Sequence, residues 1–201
     1  MEKVMLKPGT LLSPVPPTMI SCGTIDTPNI MTVAWTGIVN TIPPMTYISV
    51  RPERHSYELI KESGEFVINL ATASLLHATD FCGVKSGKEM NKFERCNLTT
   101  QQSTKVSAPS IAQSPVQFEC VVKQVIPLGS HHMFLAEIVA MGIGKQFFDE
   151  TGRICMEKMN LLGYSHGQYF ELGKQLGSFG HSVKKVKKPI PNKKTKYPPK
   201  R

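Results

Sequence analysis

The chain has 201 residues, 40% of them hydrophobic, and its 24 Lys and Arg against 15 Asp and Glu leave a formal net charge of +9. That length suits one domain with a buried core; no apolar run approaches the roughly 20 residues a membrane-crossing helix needs, and Met1 to Leu12 lacks the continuous apolar stretch of a secretory leader, so the expected location is the cytoplasm. Nine of the basic residues fall in Lys184 to Arg201 with no acid among them, which leaves 15 of each sign in the rest: the body is electrically neutral, and the charge is no argument for a nucleic-acid-binding body.

In chain order, Thr18 to Ile25 and Ile30 to Trp35 are strand-like and flank Asp26-Thr27-Pro28-Asn29, whose residue types make a turn, so a hairpin is predicted. Met45 to Arg51 is the next strand, after the break at Pro43-Pro44. Ser56 to Ser63 has helical character, with Ser56 as the N-cap, Leu59 and Ile60 on an apolar face and Gly64 as the stop. Glu65 to Leu70 returns to strand. Ser74 to Phe81 and Lys88 to Glu94 are short helical candidates separated by a loop from Cys82 to Gly87. Val116 to Ile126 and His132 to Ile143 form the longest hairpin, joined around Gly129-Ser130. Many strands with few short helices predict a mainly β chain closed into a barrel, which removes exposed sheet edges. The expected organisation is a single domain over residues 1–183 and a flexible Lys- and Pro-rich tail over 184–201, too poor in apolar groups to offset its own ordering entropy.

Three clusters carry chemistry. Arg51-Pro52-Glu53-Arg54-His55-Ser56 lies between a strand end and a helix start, so it sets two guanidiniums, an imidazole and a hydroxyl beside free helix N–H groups, which suits a phosphate. The same residues also suit an ordinary capped helix with solvated arginines. Asn29 to Thr36 places Asn29, Thr32 and Thr36 among Met31, Val33, Ala34 and the single Trp35, as a ligand-facing strand or simply a packed one. Ser86-Gly87-Lys88 followed by Asn91-Lys92-Phe93 is a loop that permits close backbone approach to an anion, or a solvated surface loop. The five cysteines are widely spaced without a Cys-x-x-Cys pair, and the six histidines show no ligand spacing, so no metal is expected; His131 and His132 are adjacent and point to opposite faces of a strand. No Ser-His-Asp arrangement can be argued from linear order and the Gly-x-Gly-x-x-Gly fingerprint is absent, so no catalytic residue is assigned.

Taken in order, these segments resemble the flavin reductase-like family of FMN-binding split barrels, and its flavoredoxin-like branch more than the pyridoxamine-phosphate-oxidase-like one. The likeness spans about Lys7 to Gly180 and is carried by the Pro14-Val15-Pro16 strand, Asn29 with Met31-Thr32 and Trp35, Pro43-Pro44, Arg51-Pro52 through His55-Ser56, Glu65 to Asn69, Ser86-Gly87 with Lys92-Phe93, and Tyr169 to Gly173. The resemblance implies a Greek-key split β-barrel with a few short helices and an FMN-binding homodimer. The ring would lie along Thr32 to Trp35 and the phosphate would be held by Arg51, His55, Ser56 and Lys92, with Asn29, Met31, Thr36, Arg54, Ser86 and Gly87 as further cofactor contacts. It implies an FMN-dependent oxidoreductase that takes electrons from NADH, NADPH or a redox protein, either as a reductase or as a pure electron carrier. The rival reading is a nucleic-acid-binding barrel that uses the basic tail as its arm.

Overall fold

The computed structural model describes residues 1–183; the expected tail, and with it the nucleic-acid arm, lies outside the described residues. Strands β1 (Thr18–Gly23) and β2 (Pro28–Val33) form the expected hairpin, in register from Thr18 opposite Val33 to Gly23 opposite Pro28. Gly23 ends β1 at φ 82°, where an added Cβ would run into the Thr27 carbonyl, so the turn requires glycine. An unforeseen strand, β3 (Thr36–Thr41), follows Trp35 and pairs with β4 (Pro44–Val50), so Pro43-Pro44 turns a hairpin where a plain break was expected. Helix α1 (His55–Ser63) stops at Gly64 in the left-handed conformation. Its N-cap is Arg54, without a side-chain cap; Ser56 lies inside the first turn, because its hydroxyl is engaged by Asn29.

Strand β5 (Glu65–Leu70) occupies its expected span. A 3-10 turn over Ala73–Leu75 leads into α2 (Leu76–Val84), which absorbs Cys82 and Gly83 from the expected loop. Helix α3 (Lys92–Arg95) starts four residues later than expected, because Asn91 caps it: the Asn91 side chain accepts from the Phe93 and Glu94 N–H groups and donates to the Glu94 carboxylate. Two-residue strands β6 (Thr100–Gln101) and β7 (Ser110–Ile111) precede the long β8 (Val116–Pro127) and β9 (His132–Ile143), and β10 (Leu162–Ser165) with β11 (Gln168–Glu171) is the last hairpin, followed by a 3-10 turn over His181–Val183.

Seven strands form one antiparallel sheet in the order β2-β1-β5-β8-β9-β4-β3. Register shifts at Glu119/Cys120 and Val122/Gln124 bend β8. The sheet wraps around a core of Ile20, Val33, Ile48, Ile60, Phe66 and Phe134, into which α1 sends Tyr57 and Ile60. A second cluster, with Met19, Ile30, Ala78, Cys82 and Phe93, packs α2 and α3 on the other face of β1 and β2. Those two strands are therefore buried on both faces, which explains why Thr18 to Cys22 reads as a continuous buried run without polar alternation.

Two buried polar side chains lock loops to the sheet. Asn69 donates to the Met19 carbonyl and Ser21 hydroxyl and accepts from the Ile111 N–H. Glu119 accepts from the Thr104 N–H and hydroxyl and from the Lys105 N–H, so its buried charge is compensated. All five cysteines are free thiols; Cys96 is partly exposed and the other four are buried. Burial pushes the thiol of Cys22 up to about 11 and those of Cys82 and Cys120 up to about 12. No helix among the described residues is long and apolar enough to cross a membrane.

Candidate functional site

Two adjoining hollows meet at Met31, Arg54 and Val84. The smaller, about 100 Å³, lies where the first turn of α1 faces the loop after α2 and the start of α3. Its walls hold Arg54, His55, Ser56, Ser86, Gly87 and Lys92, so residues from three distant segments converge as the sequence suggested. At about 30 Å³ per water it has the space of roughly three waters, the scale of a phosphate group.

Lys92 is the unusual member. It is buried, and its Nζ donates to the carbonyls of Cys82 (3.1 Å) and Lys85 (3.0 Å), at the C-terminal end of α2, where a cation complements the helix dipole. No carboxylate pairs with it among the described residues. Burial holds its pKa below the usual lysine range, and the nearby Arg54 pushes the same way, against the raising effect of the cysteines. Arg54 also caps α2, its guanidinium donating to the Gly83 carbonyl at 2.8 Å. The His55 imidazole is likewise held below its ordinary pKa, first by burial and then by repulsion from Lys88 and Lys92. Glu53 is the one acidic residue on the wall, and its carboxylate is paired with Arg51 at 2.6 Å, so neither Lys92 nor Arg54 has a carboxylate partner among the described residues.

Gly87 lies on its wall, whereas Asn29, expected as a cofactor contact, lines neither hollow and is buried behind Gly87. The Asn29 amide donates to the Ser56 hydroxyl at 2.8 Å and more weakly to the Cys22 sulfur at 3.7 Å. A Cβ on Gly87 would collide with the Asn29 amide oxygen and press on the His55 ring at 3.2 Å, so only glycine lets the loop approach this closely.

The larger hollow, about 380 Å³, is an open cleft along β2 and the bend after it. Thr32, Val33, Ala34 and Trp35 form one wall, and Arg51 stands on it with its guanidinium paired to Glu53. Thr32 is tied down, its hydroxyl donating to the Thr79 carbonyl at 2.6 Å. Thr36 is not brought to either hollow; its hydroxyl donates to the Tyr47 carbonyl at 2.6 Å within the β3–β4 hairpin. Arg51 is likewise on the cleft rather than in the phosphate-sized hollow.

Residues the sequence did not assign to the site complete the cleft. His131 lies against Trp35 with the rings tilted by 43° and their centroids 4.4 Å apart, while His132 turns away to the Tyr57 hydroxyl at 2.7 Å. Tyr169 donates to the Asp80 carboxylate at 3.2 Å and meets Tyr164 edge to face. Burial, followed by the Asp80 charge, pushes Tyr169 up to about 12, so it stays a protonated donor at neutral pH. Asp80, His131, Tyr164 and Tyr169 come from separate segments, α2, the β8–β9 turn and the β10–β11 hairpin, and only the folded chain collects them at the cleft.

β2 is an edge strand, hydrogen-bonded only to β1 in the sheet. Backbone donors and acceptors on its outer side are therefore not consumed by a further strand. A split antiparallel barrel with a cationic, glycine-walled hollow at one end of a longer aromatic-walled cleft has the build of a barrel that holds a flat, phosphorylated cofactor. Comparison with known proteins narrows that class: residues 11–173 match the flavin reductase like domain, and the chain belongs to that family.

Among its relatives is an uncharacterized protein of Archaeoglobus fulgidus, 34% identical over 125 residues that cover 62% of this chain and 71% of the other. Two solved structures are close in fold. Flavoredoxin of Desulfovibrio vulgaris superposes with a TM-score of 0.84 at 26% identity, covering 91% of this chain and 100% of the other. Flavoredoxin from Methanosarcina acetivorans superposes with a TM-score of 0.83 at 25% identity, covering 92% and 100%. The fold is the split barrel of FMN-binding proteins, and family membership supports a flavin as cofactor and redox chemistry as the class of activity.

Proposed function

We propose that the chain is an FMN-dependent oxidoreductase, working as a homodimer, that passes electrons from NADH, NADPH or a redox protein through the bound flavin. The observation that carries this reading is the buried, carboxylate-free ammonium of Lys92 in a phosphate-sized hollow that opens into a cleft long and apolar enough for a ring system. The residues fit the group. Lys92, His55, Ser56 and Arg54 supply donors and charge for a terminal phosphate, and the Gly87 backbone lies against the same space. The volume suits one terminal phosphate, which favours FMN over a flavin that continues into a pyrophosphate.

Bound there, the flavin supplies the hydride and single-electron chemistry, and the protein needs no nucleophile of its own. The chain's part is positioning and electrostatics. The free edge of β2 and the bend at Ala34-Trp35 offer backbone groups to the polar edge of the ring. Trp35 and Tyr164 wall it with aromatic faces, while Tyr169, held protonated beside Asp80, keeps a hydroxyl at the cleft. Arg51, paired with Glu53, stands on the wall of the cleft and offers its remaining guanidinium donors there.

The test is the visible spectrum of the purified protein, identification of the released chromophore, and anaerobic stopped-flow mixing with NADH and NADPH. A yellow protein that releases FMN and bleaches on mixing supports the reductase. Bound FMN that stays oxidised leaves the electron carrier. A colourless protein that takes up no added FMN overturns the reading.

A further inference from the structure

Lys92 is held between two thiol-bearing residues. Cys82, in the last turn of α2, supplies one of the carbonyls that receive its ammonium. Cys96, which ends α3, donates its N–H to the Lys92 carbonyl at 3.1 Å. The two side chains belong to the same packed cluster on the α2–α3 side of β1 and β2, and the Cys82 thiol is in hydrogen-bonded contact with Cys96. They differ in access, since Cys82 is fully buried and Cys96 is partly exposed.

The other thiols are engaged elsewhere. Cys22 and Cys120 face the barrel core, and Cys155 receives a hydrogen bond from Arg153. The backbone at Cys96 is fixed, with Asn97 in the left-handed conformation at φ 52° and the Leu98 N–H returned to the Phe93 carbonyl at 2.8 Å. Two thiols already in contact need only a short approach to reach the roughly 2 Å of a sulfur–sulfur bond.

We propose that Cys82 and Cys96 form a reversible dithiol site, oxidised to a disulfide by a low-molecular-weight disulfide from solution, and that the cross-link tightens the grip of Lys92 on the anion in its hollow. Cys96, the reachable thiol, reacts first: its sulfur bonds to one sulfur of the small disulfide, the S–S bond of the latter breaks, and the departing thiolate takes the proton that Cys96 gives up. Cys82 then loses its proton and attacks the Cys96 sulfur, expelling the second small thiol. Two protein thiols are thereby oxidised by two electrons, and one small disulfide is reduced to two thiols. Burial pushes Cys82 up to about 12, so it reacts with the sulfur brought into contact with it and not with reagents in solution. The link matters to Lys92 because α3 is only four residues long, too short to hold itself. A covalent tie from Cys96 to α2 closes a ring through both the carbonyl and the ammonium of Lys92, and a group fixed in place beforehand loses less freedom when its ligand arrives. The dithiol stands on packing and contact; only its effect on binding rests on the flavin reading.

Incubation of the full chain with glutathione disulfide tests it, followed by intact mass, non-reducing peptide mapping and FMN titration, with Cys96→Ser and Cys82→Ala in parallel. The expected result is the loss of two hydrogens per chain, a peptide joining Cys82 to Cys96, full reversal by dithiothreitol, and a Kd for FMN about threefold lower in the oxidised chain. Neither variant forms the link, and Cys96→Ser keeps the FMN affinity of the reduced wild type. A chain that stops at a glutathione adduct on Cys96, links a different pair, or links only after denaturation overturns the dithiol site. Should Cys82→Ala fail to fold by circular dichroism, Cys96→Ser decides, since it alters a partly exposed side chain. A link that leaves FMN affinity unchanged removes the effect on Lys92. A chain that links as expected but binds no FMN in either state keeps the dithiol and sinks the flavin reading instead.

Discussion

Lys92 and Arg51 carry the same charge on one continuous site, and the fold treats them in opposite ways. Lys92 is buried, aimed by two backbone carbonyls and enclosed by helix ends, while Arg51 is more than half exposed and satisfied by Glu53. Around Lys92 the loop approach is so close that one methyl group would collide, whereas around Arg51 the cleft is open to solvent. A charge held in low dielectric with its geometry fixed binds an anion strongly, and an exposed one is screened. On the proposed reading the difference is a division of labour: the hollow would supply affinity, and the cleft would supply access for electron donors and acceptors.

The contrast can be broken first at Lys92. Replacement by Met should cost about 3 kcal/mol of FMN binding, roughly a hundredfold in Kd, from the loss of a charge-assisted hydrogen bond at a buried site; flavin fluorescence titration reads this, and an unchanged Kd would place the phosphate elsewhere. Gly87→Ala should weaken FMN on the order of tenfold, because the new Cβ pushes the loop off Asn29 and His55. Calorimetric melting of the apoprotein should show a smaller change than the binding assay, or the effect belongs to the fold.

His55 gives a severalfold effect with a definite sign. Its pKa is depressed in the free protein, and an adjacent dianion raises it, so binding takes up a proton. Affinity should therefore fall as pH rises from about 6.5, where the phosphate is largely dianionic, to about 8. In His55→Gln the slope should vanish. Arg51→Ala should be the mildest change, about threefold or less in Kd, with any larger effect appearing in the rate of reduction by NADH or NADPH. A hundredfold loss of affinity there would erase the distinction between the two ends.

Most of the barrel could be read from the chain because its strands announce themselves locally. The β8–β9 hairpin, β5 and the β1–β2 pair have apolar and β-branched residues between turn signals, and they fall within a few residues of the expected spans. β3 escaped because Ile38 and Val39 are adjacent and both exposed, so no alternation marks a buried face. Ser56 looked like a cap by residue type, but a bond to Asn29, 27 positions away, sets its place. The late start of α3 had a legible signal in Asn91 and Glu94, a capping pair three residues apart. Asp80 and Tyr164 had none, since what makes them neighbours is strand order; Tyr169 stood in the segment Tyr169 to Gly173 that carries the family resemblance, and His131 was weighed only as a metal ligand, so neither was placed at the cleft.

The thiols sunk in the barrel bear on how long such a protein lasts at its work. Reduced flavins that meet dioxygen release peroxide, and cysteines are attacked according to how much thiolate they show to solvent. With Cys22, Cys82 and Cys120 buried and pushed up to about 11 or 12, and Cys155 also buried, only the partly exposed Cys96 stands in the path of that by-product. The packing that shapes the site thus also serves as corrosion protection, leaving one outlying thiol as the place where wear would first register.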